Sequence, residues 1–173
     1  MESLRALYRI GRGPSSSHTI GPEMAAGIIR ERYPDAKRIE VVLQGSLAKT
    51  GKGHLTDLAV SAALAPVPCS IVFDTETAEL PHPNTMIFRV FREGAAPVAV
   101  HRVFSVGGGE IAFENEEFQR PEDVYPLHTF RDIRRACREK GFSLADYVRA
   151  YEKGGIDEFL ARVWACMKDS VAR

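Results

Sequence analysis

The chain has 173 residues, 45% of them hydrophobic, with 23 basic and 23 acidic side chains. That length suits about one domain with an appendage, and the balanced charge gives no general pull toward nucleic acid or a membrane surface. No run approaches the ~20 apolar residues of a membrane span, the charged N-terminus lacks a signal-peptide core, and three scattered cysteines fit a reducing cytoplasm.

In chain order, residues 2–10 form a short element leading to Gly11-Arg12-Gly13. Next comes Gly13-Pro14-Ser15-Ser16-Ser17-His18-Thr19-Ile20-Gly21-Pro22, which sets four hydroxyls and an imidazole between two Gly/Pro pairs. One Ser or Thr would cap the helix that starts near Pro22. A row of hydroxyls and unpaired N–H groups at a helix start also suits a carboxylate or phosphate. Both readings stand at this point. The helix is expected to reach about Tyr33, with Met24, Ala25, Ile28 and Ile29 on one face, and to stop at Pro34-Asp35.

Arg38–Gln44 reads as a strand bounded by Gly45. The following Gly45-Ser46-Leu47-Ala48-Lys49-Thr50-Gly51-Lys52-Gly53 has the look of a P-loop but fails in detail. Five residues separate Gly45 from Gly51, and Gly53 follows Lys52 where Ser or Thr should stand. Gly51 and Gly53 still allow close approach of backbone to a ligand. They deliver Lys52 and His54 just before a helix whose N-cap is expected at Thr56 and whose end falls near Ala65. A Gly-rich turn with a solvated lysine is the plainer reading.

Ser70–Asp74 is a short strand, and Thr75–Pro83 a polar loop ending in His82-Pro83-Asn84, where Asn84 suits an Asx turn. Thr85–Arg92 and Pro97–Val106 form a hairpin in which Met86, Phe88 and Val90 take the buried face. Glu110–Phe113 pairs back at the edge. The fold class is therefore α+β, a mixed, partly antiparallel sheet with helices on one face. Residues 116–129 read as a linker containing Pro121 and Pro126. Helices follow at Phe130–Lys140, from Ser143 with a capping-box Asp146, and finally along the stripe Ile156, Phe159, Leu160, Val163, Trp164, Met167 and Val171. These three helices are expected to close no core of their own, and instead to pack on the sheet or present that stripe to another domain.

Three loops carry a histidine beside small hydrogen-bonding neighbours: His18, His54 and His82. If they converge, the site suits a small zwitterion or carboxylate and a proton transfer. A Ser–His hydrolase would lack both a G-x-S-x-G elbow and an acidic orienter. His101 reads as a strand histidine, packed or at the surface, and His128 as a linker residue. Cys69, Cys137 and Cys166 have no metal-ligand spacing.

Taken in order, Gly13–Pro22, Gly45-Ser46-Leu47, Thr50-Gly51-Lys52-Gly53-His54-Leu55-Thr56-Asp57, His82-Pro83-Asn84-Thr85 and Ser105-Val106-Gly107-Gly108-Gly109 closely resemble the signature of the iron–sulfur-dependent bacterial L-serine dehydratases. Gly141–Leu144 and Phe159–Met167 are similar to the opening of that family's catalytic α part. The resemblance implies a β domain over residues 1–115, a linker at 116–129, and at 130–173 the start of an α domain. It implies a sheet domain like the allosteric substrate-binding domain of some phosphoglycerate dehydrogenases. The implied reaction converts L-serine to pyruvate and ammonia with a 4Fe-4S cluster whose open iron acts on the leaving hydroxyl. None of the three cysteines matches a cluster ligand, so the cluster is expected in an α domain or α chain that partners this one. By the same resemblance His54 is the base, His18 a second catalytic residue, and Ser15, Ser16, Ser17, Thr19, Lys52, His82 and Asn84 substrate-binding. The loop between Asp74 and His82 looks short beside that of the longer members. Expected partners are L-serine, the α part and a second copy in a homodimer, with no nucleic acid and no membrane. The alternative is a non-catalytic regulatory module that binds a small amino or carboxylic acid.

Overall fold

The computed structural model describes residues 1–172 apart from Arg12, Pro14 and residues 118–122. Arg12 and Pro14 of the Ser-rich stretch and Pro121 of the expected linker thus lie outside the described residues. Two units form, Gly11–Phe118 and Met1–Ile10 with Gln119–Arg173. The sequence reading assigned residues 1–10 to the sheet domain; in the structure they group with the C-terminal helices.

The sheet unit is built on alternation. Along β1 (Arg38–Gly45), Ile39, Val41 and Leu43 are fully buried. Opposite them on β3 (Asn84–Phe91) stand Val90, Phe88 and Met86, also fully buried, so one register places both apolar rows on the same face. β2 (Cys69–Asp74) pairs parallel with β1, whereas β4 (Ala99–Gly107) and β5 (Glu110–Phe113) continue antiparallel, giving the order β2-β1-β3-β4-β5. Helices α2 (Gly21–Arg32) and α4 (Thr56–Leu64) cover the apolar face through Ala25, Ala26, Ile29, Val60 and Leu64. The opposite face leaves Val72 and Val100 exposed. This is the expected α+β architecture.

The expected α2 face needs correction. Ala26 is fully buried whereas Met24 and Ile28 are only half-buried, because α2 lies against α4 as well as the sheet and small residues suit that close approach. The α4 start also differs. Leu55, in a left-handed conformation at φ 58°, occupies the N-cap, and Thr56 is the first helical residue, fully buried.

The helical unit contains α1 (Leu4–Leu7), α5 (Phe130–Lys140), α6 (Leu144–Tyr151) and α7 (Ile156–Ala172). Contrary to expectation it has a small core, Tyr125, Ile133, Cys137 and Tyr147, with Leu4, Val124 and Leu127 packed against it. Residues outside the three helices complete it, which is why helix periodicity alone missed it. The Ser143–Asp146 capping box is present. On the α7 stripe Ile156 and Val163 are buried, but Trp164, Met167 and Val171 are exposed.

Buried Glu152 ties the unit's first helix down. Its carboxylate accepts from the Leu4 N–H at 2.8 Å, the Ser3 hydroxyl at 2.8 Å and the Tyr125 hydroxyl at 2.7 Å. Glu152→Ala strands these donors, and is expected to cost about 2–3 kcal/mol. Native-state hydrogen exchange checks this as lost protection across α1.

Candidate functional site

The Ser-rich stretch folds as a five-residue π turn, Ser16–Ile20, that runs directly into α2. Ser15 caps it, its hydroxyl accepting from the His18 N–H at 3.3 Å. The His18 ring is then held from both sides. Its Nδ1 lies 3.0 Å from Ser17 Oγ and 3.3 Å from Ser15 Oγ, and its Nε2 lies 2.9 Å from Ser46 Oγ. Ser16 is exposed.

The Gly-rich stretch begins with a one-turn helix, α3 (Ser46–Thr50), which the sequence reading did not separate from the turn. Past it, the chain loops back so that His54 lies beside His18, with ring centroids 4.7 Å apart. His54 Nδ1 is 3.0 Å from the Thr50 carbonyl. A carbonyl only accepts, so Nδ1 carries the proton and the Nε2 of neutral His54 is the basic nitrogen.

Two buried threonines staple these loops reciprocally. Thr19 donates to the His54 carbonyl at 3.2 Å, and Thr56 donates to the His18 carbonyl at 2.6 Å. With Thr19 1% exposed and Thr56 0%, both donor hydroxyls are shielded from water. This is also why Thr56 does not cap its own helix.

The third loop meets the first two through its backbone. The Pro83 carbonyl accepts the Ser46 N–H at 2.7 Å. The Asn84 N–H donates to His82 Nδ1 at 3.0 Å, so neutral His82 keeps its proton on Nε2, the reverse of His54. Thr85 donates to the His82 carbonyl at 2.6 Å, and Asn84 Nδ2 to the Ser105 carbonyl at 3.3 Å. Lys52 is exposed, its ammonium 5.3 Å from the Phe73 ring centroid. A hollow of about 610 Å³ opens beside Ser46 and is walled by Lys49, Thr50, Glu76 and Leu80. Its far wall is pinned by Asp74, whose carboxyl is held down at about 2 by hydrogen bonds from Thr77 and then Gln44.

The structure thus brings His18, His54 and the serines together and ties the His82 loop to them through Ser46. Sequence reasoning placed neither Ser46 nor Thr56 in the site. The available signal for Ser46 was a serine directly after the strand-ending glycine; Thr56 was legible only as a cap. His101 sits apart, its Nε2 2.8 Å from the Tyr33 hydroxyl.

Burial lowers the His18 pKa, and the neighbouring His54 lowers it further, against a smaller upward pull from hydrogen bonding to Ser46. Folding therefore favours neutral His18. The associated stabilisation is complete above the unfolded histidine pKa of about 6.5 and is lost as pH falls below it through the lowered folded value. His18 ring resonances should titrate below the free-histidine range, and the urea midpoint should decline on acidification from pH 7. His18→Gln should flatten that decline.

Cys69, Cys137 and Cys166 are free thiols on separate elements. Among the described residues no group of three or more His, Cys, Asp or Glu side chains is placed to hold a metal ion, and no helix is long and apolar enough to cross a membrane.

Residues 3–69 match the family model described as serine dehydratase beta chain. L-serine dehydratase 2 of Escherichia coli (strain K12) is 30% identical over 223 residues, covering 100% of this chain and 49% of the relative. L-serine dehydratases of Streptomyces coelicolor and of Helicobacter pylori (strain J99) are 28% and 26% identical, over 96% and 95% of this chain and 48% and 47% of their own lengths. The chain spans about half the length of the curated relatives it matches.

Proposed function

Because the chain is a relative of the L-serine dehydratases and its residues 3–69 carry their beta-chain pattern, we propose that it supplies the β half of an L-serine dehydratase. The observation that carries this reading is the pairing of His18 and His54 at 4.7 Å beside the serine turn. In the proposed reaction His54 Nε2 takes the α-proton of L-serine, the β-hydroxyl departs as hydroxide and takes up a proton to become water, and the resulting enamine tautomerises to an imine that water hydrolyses to pyruvate and ammonia. His18 is the second catalytic residue beside His54. Ser15, Ser16 and Ser17 bind the substrate's polar groups, and Thr19, expected to bind substrate as well, supports them from inside. His82 and Asn84 line the approach, and Lys52 adds a cation at its rim. Residues 11–118 act as the β domain and the helical unit as the opening of the α part.

The dispersed cysteines do not fit a 4Fe-4S cluster, so its ligands are assigned to an α domain or α chain. Three free thiols accord with a cytoplasmic enzyme. A homodimer of the assembled enzyme completes the proposal.

The test is anaerobic reconstitution. The chain alone is expected to form no pyruvate from L-serine, whereas mixing it with a cluster-bearing α half should restore deamination. Pyruvate from the chain alone, or a mixture that binds serine without turning it over, would count against the reading; the second result would point to a regulatory module.

A further inference from the structure

Helix α3 touches both histidines, one at each end. At its start, Ser46 Oγ is 2.9 Å from His18 Nε2. At its end, the Thr50 carbonyl accepts from both the His54 ring Nδ1 at 3.0 Å and the His54 backbone N–H at 3.2 Å. The turn between them is closed on itself, because the Thr50 hydroxyl donates to the Ser46 carbonyl at 2.9 Å. It is also anchored outside itself through the Ser46 N–H to Pro83. Gly51 lets the chain leave the turn, since a Cβ there would stand 2.1 Å from the Leu47 carbonyl oxygen.

We propose that α3 is a positioning element that decides which nitrogen of His54 is basic. The Thr50 carbonyl keeps the proton on Nδ1 and leaves Nε2 free to accept one, while Ser46 holds the His18 ring alongside. His54 Nε2 has no hydrogen-bond partner among the described residues. A serine that merely started a helical turn would need no bond to a ring 28 residues away. The two-point grip on His54 from a single carbonyl fixes both the backbone and the ring, as is required of a base that must meet one particular C–H bond. Ser46 thereby becomes a positioning residue for the site. This inference rests on the reading of His54 as the proton acceptor.

The test uses the whole 173-residue chain labelled with ¹⁵N-histidine. Long-range ¹H–¹⁵N spectra above the histidine pKa should find neutral His54 in the Nδ1–H form. Ser46→Ala should shift the His18 ring nitrogens and leave His54 in that form. In the reconstituted enzyme Ser46→Ala should lower kcat by about 10- to 100-fold with KM within about twofold, and Ser46→Thr, which keeps the hydroxyl, should recover most of the loss. An Nε2–H form of His54, or unchanged His18 nitrogens in Ser46→Ala, would overturn the inference. So would a Ser46→Ala enzyme with full kcat. Failure of the β-half reading is distinguishable, because then no serine is deaminated in the reconstituted mixture while the tautomer result on the chain itself still decides the role of α3.

Discussion

If the chain is the β half of a dehydratase as proposed, replacing His54 by alanine in the reconstituted mixture is expected to lower kcat by about 10²- to 10⁴-fold, the range that a positioned general base contributes. The loss should fall on kcat rather than KM, because the hydroxyls of Ser15, Ser16 and Ser17 do not depend on the His54 ring for their placement. Folding should survive the change. His54 is only half-buried, and the staple from Thr19 ends on its backbone carbonyl, which alanine retains. Thermal unfolding followed by circular dichroism should therefore shift by only a few degrees. Added imidazole should restore part of the rate to the alanine variant. A His54→Ala enzyme within about tenfold of the parent kcat would remove this residue from the base role.

The second large effect is structural. Gly45 ends β1 at φ 60° and ψ −126°, a conformation that costs an L-residue about 1–3 kcal/mol. A Cβ there would also stand 2.3 Å from the Pro83 carbonyl oxygen and 3.0 Å from Leu80. The same carbonyl oxygen receives the Ser46 N–H, so displacing it breaks the joint between the second and third loops. Gly45→Ala is expected to cost about 3 kcal/mol or more and to lower Tm by roughly 10 °C or more. Gly94, at φ 108° with nothing within 4 Å of an added Cβ, provides the control. Gly94→Ala carries the backbone penalty alone and should cost clearly less. Equal losses at the two positions would show that the Pro83 clash is relieved at no cost.

What could be read from the residues was whatever their near neighbours decide. Met86, Phe88 and Val90 announced the buried face of β3 because alternation is a local property of a strand. Ser143 and Asp146 announced the start of α6 because both halves of a capping box lie within four residues. The site was legible as a set of loops, but its joints were not. Thr56 read as a cap, yet its hydroxyl goes to His18, 38 residues earlier. With that bond made, Leu55 is left to turn the chain in a conformation that leucine rarely adopts. The helical core escaped notice for a similar reason, since Tyr125 and Leu4 enter it from outside any helix long enough to show a period.

The π turn at Ser16–Ile20 has a consequence for the phase of everything before α2. Each residue advances a helix by about 100° about its axis. A turn wound one residue wider than an α turn therefore works like an inserted spacer, setting the bearing of Ser15–His18 independently of the face that α2 buries. Removing one residue from that turn would let a regular helix run straight through while Ala25, Ala26 and Ile29 kept their seats against the sheet. The serines and the imidazole would then swing about 100° away from Ser46 and His54. The fold would tolerate the shorter chain, and the site would lose its alignment.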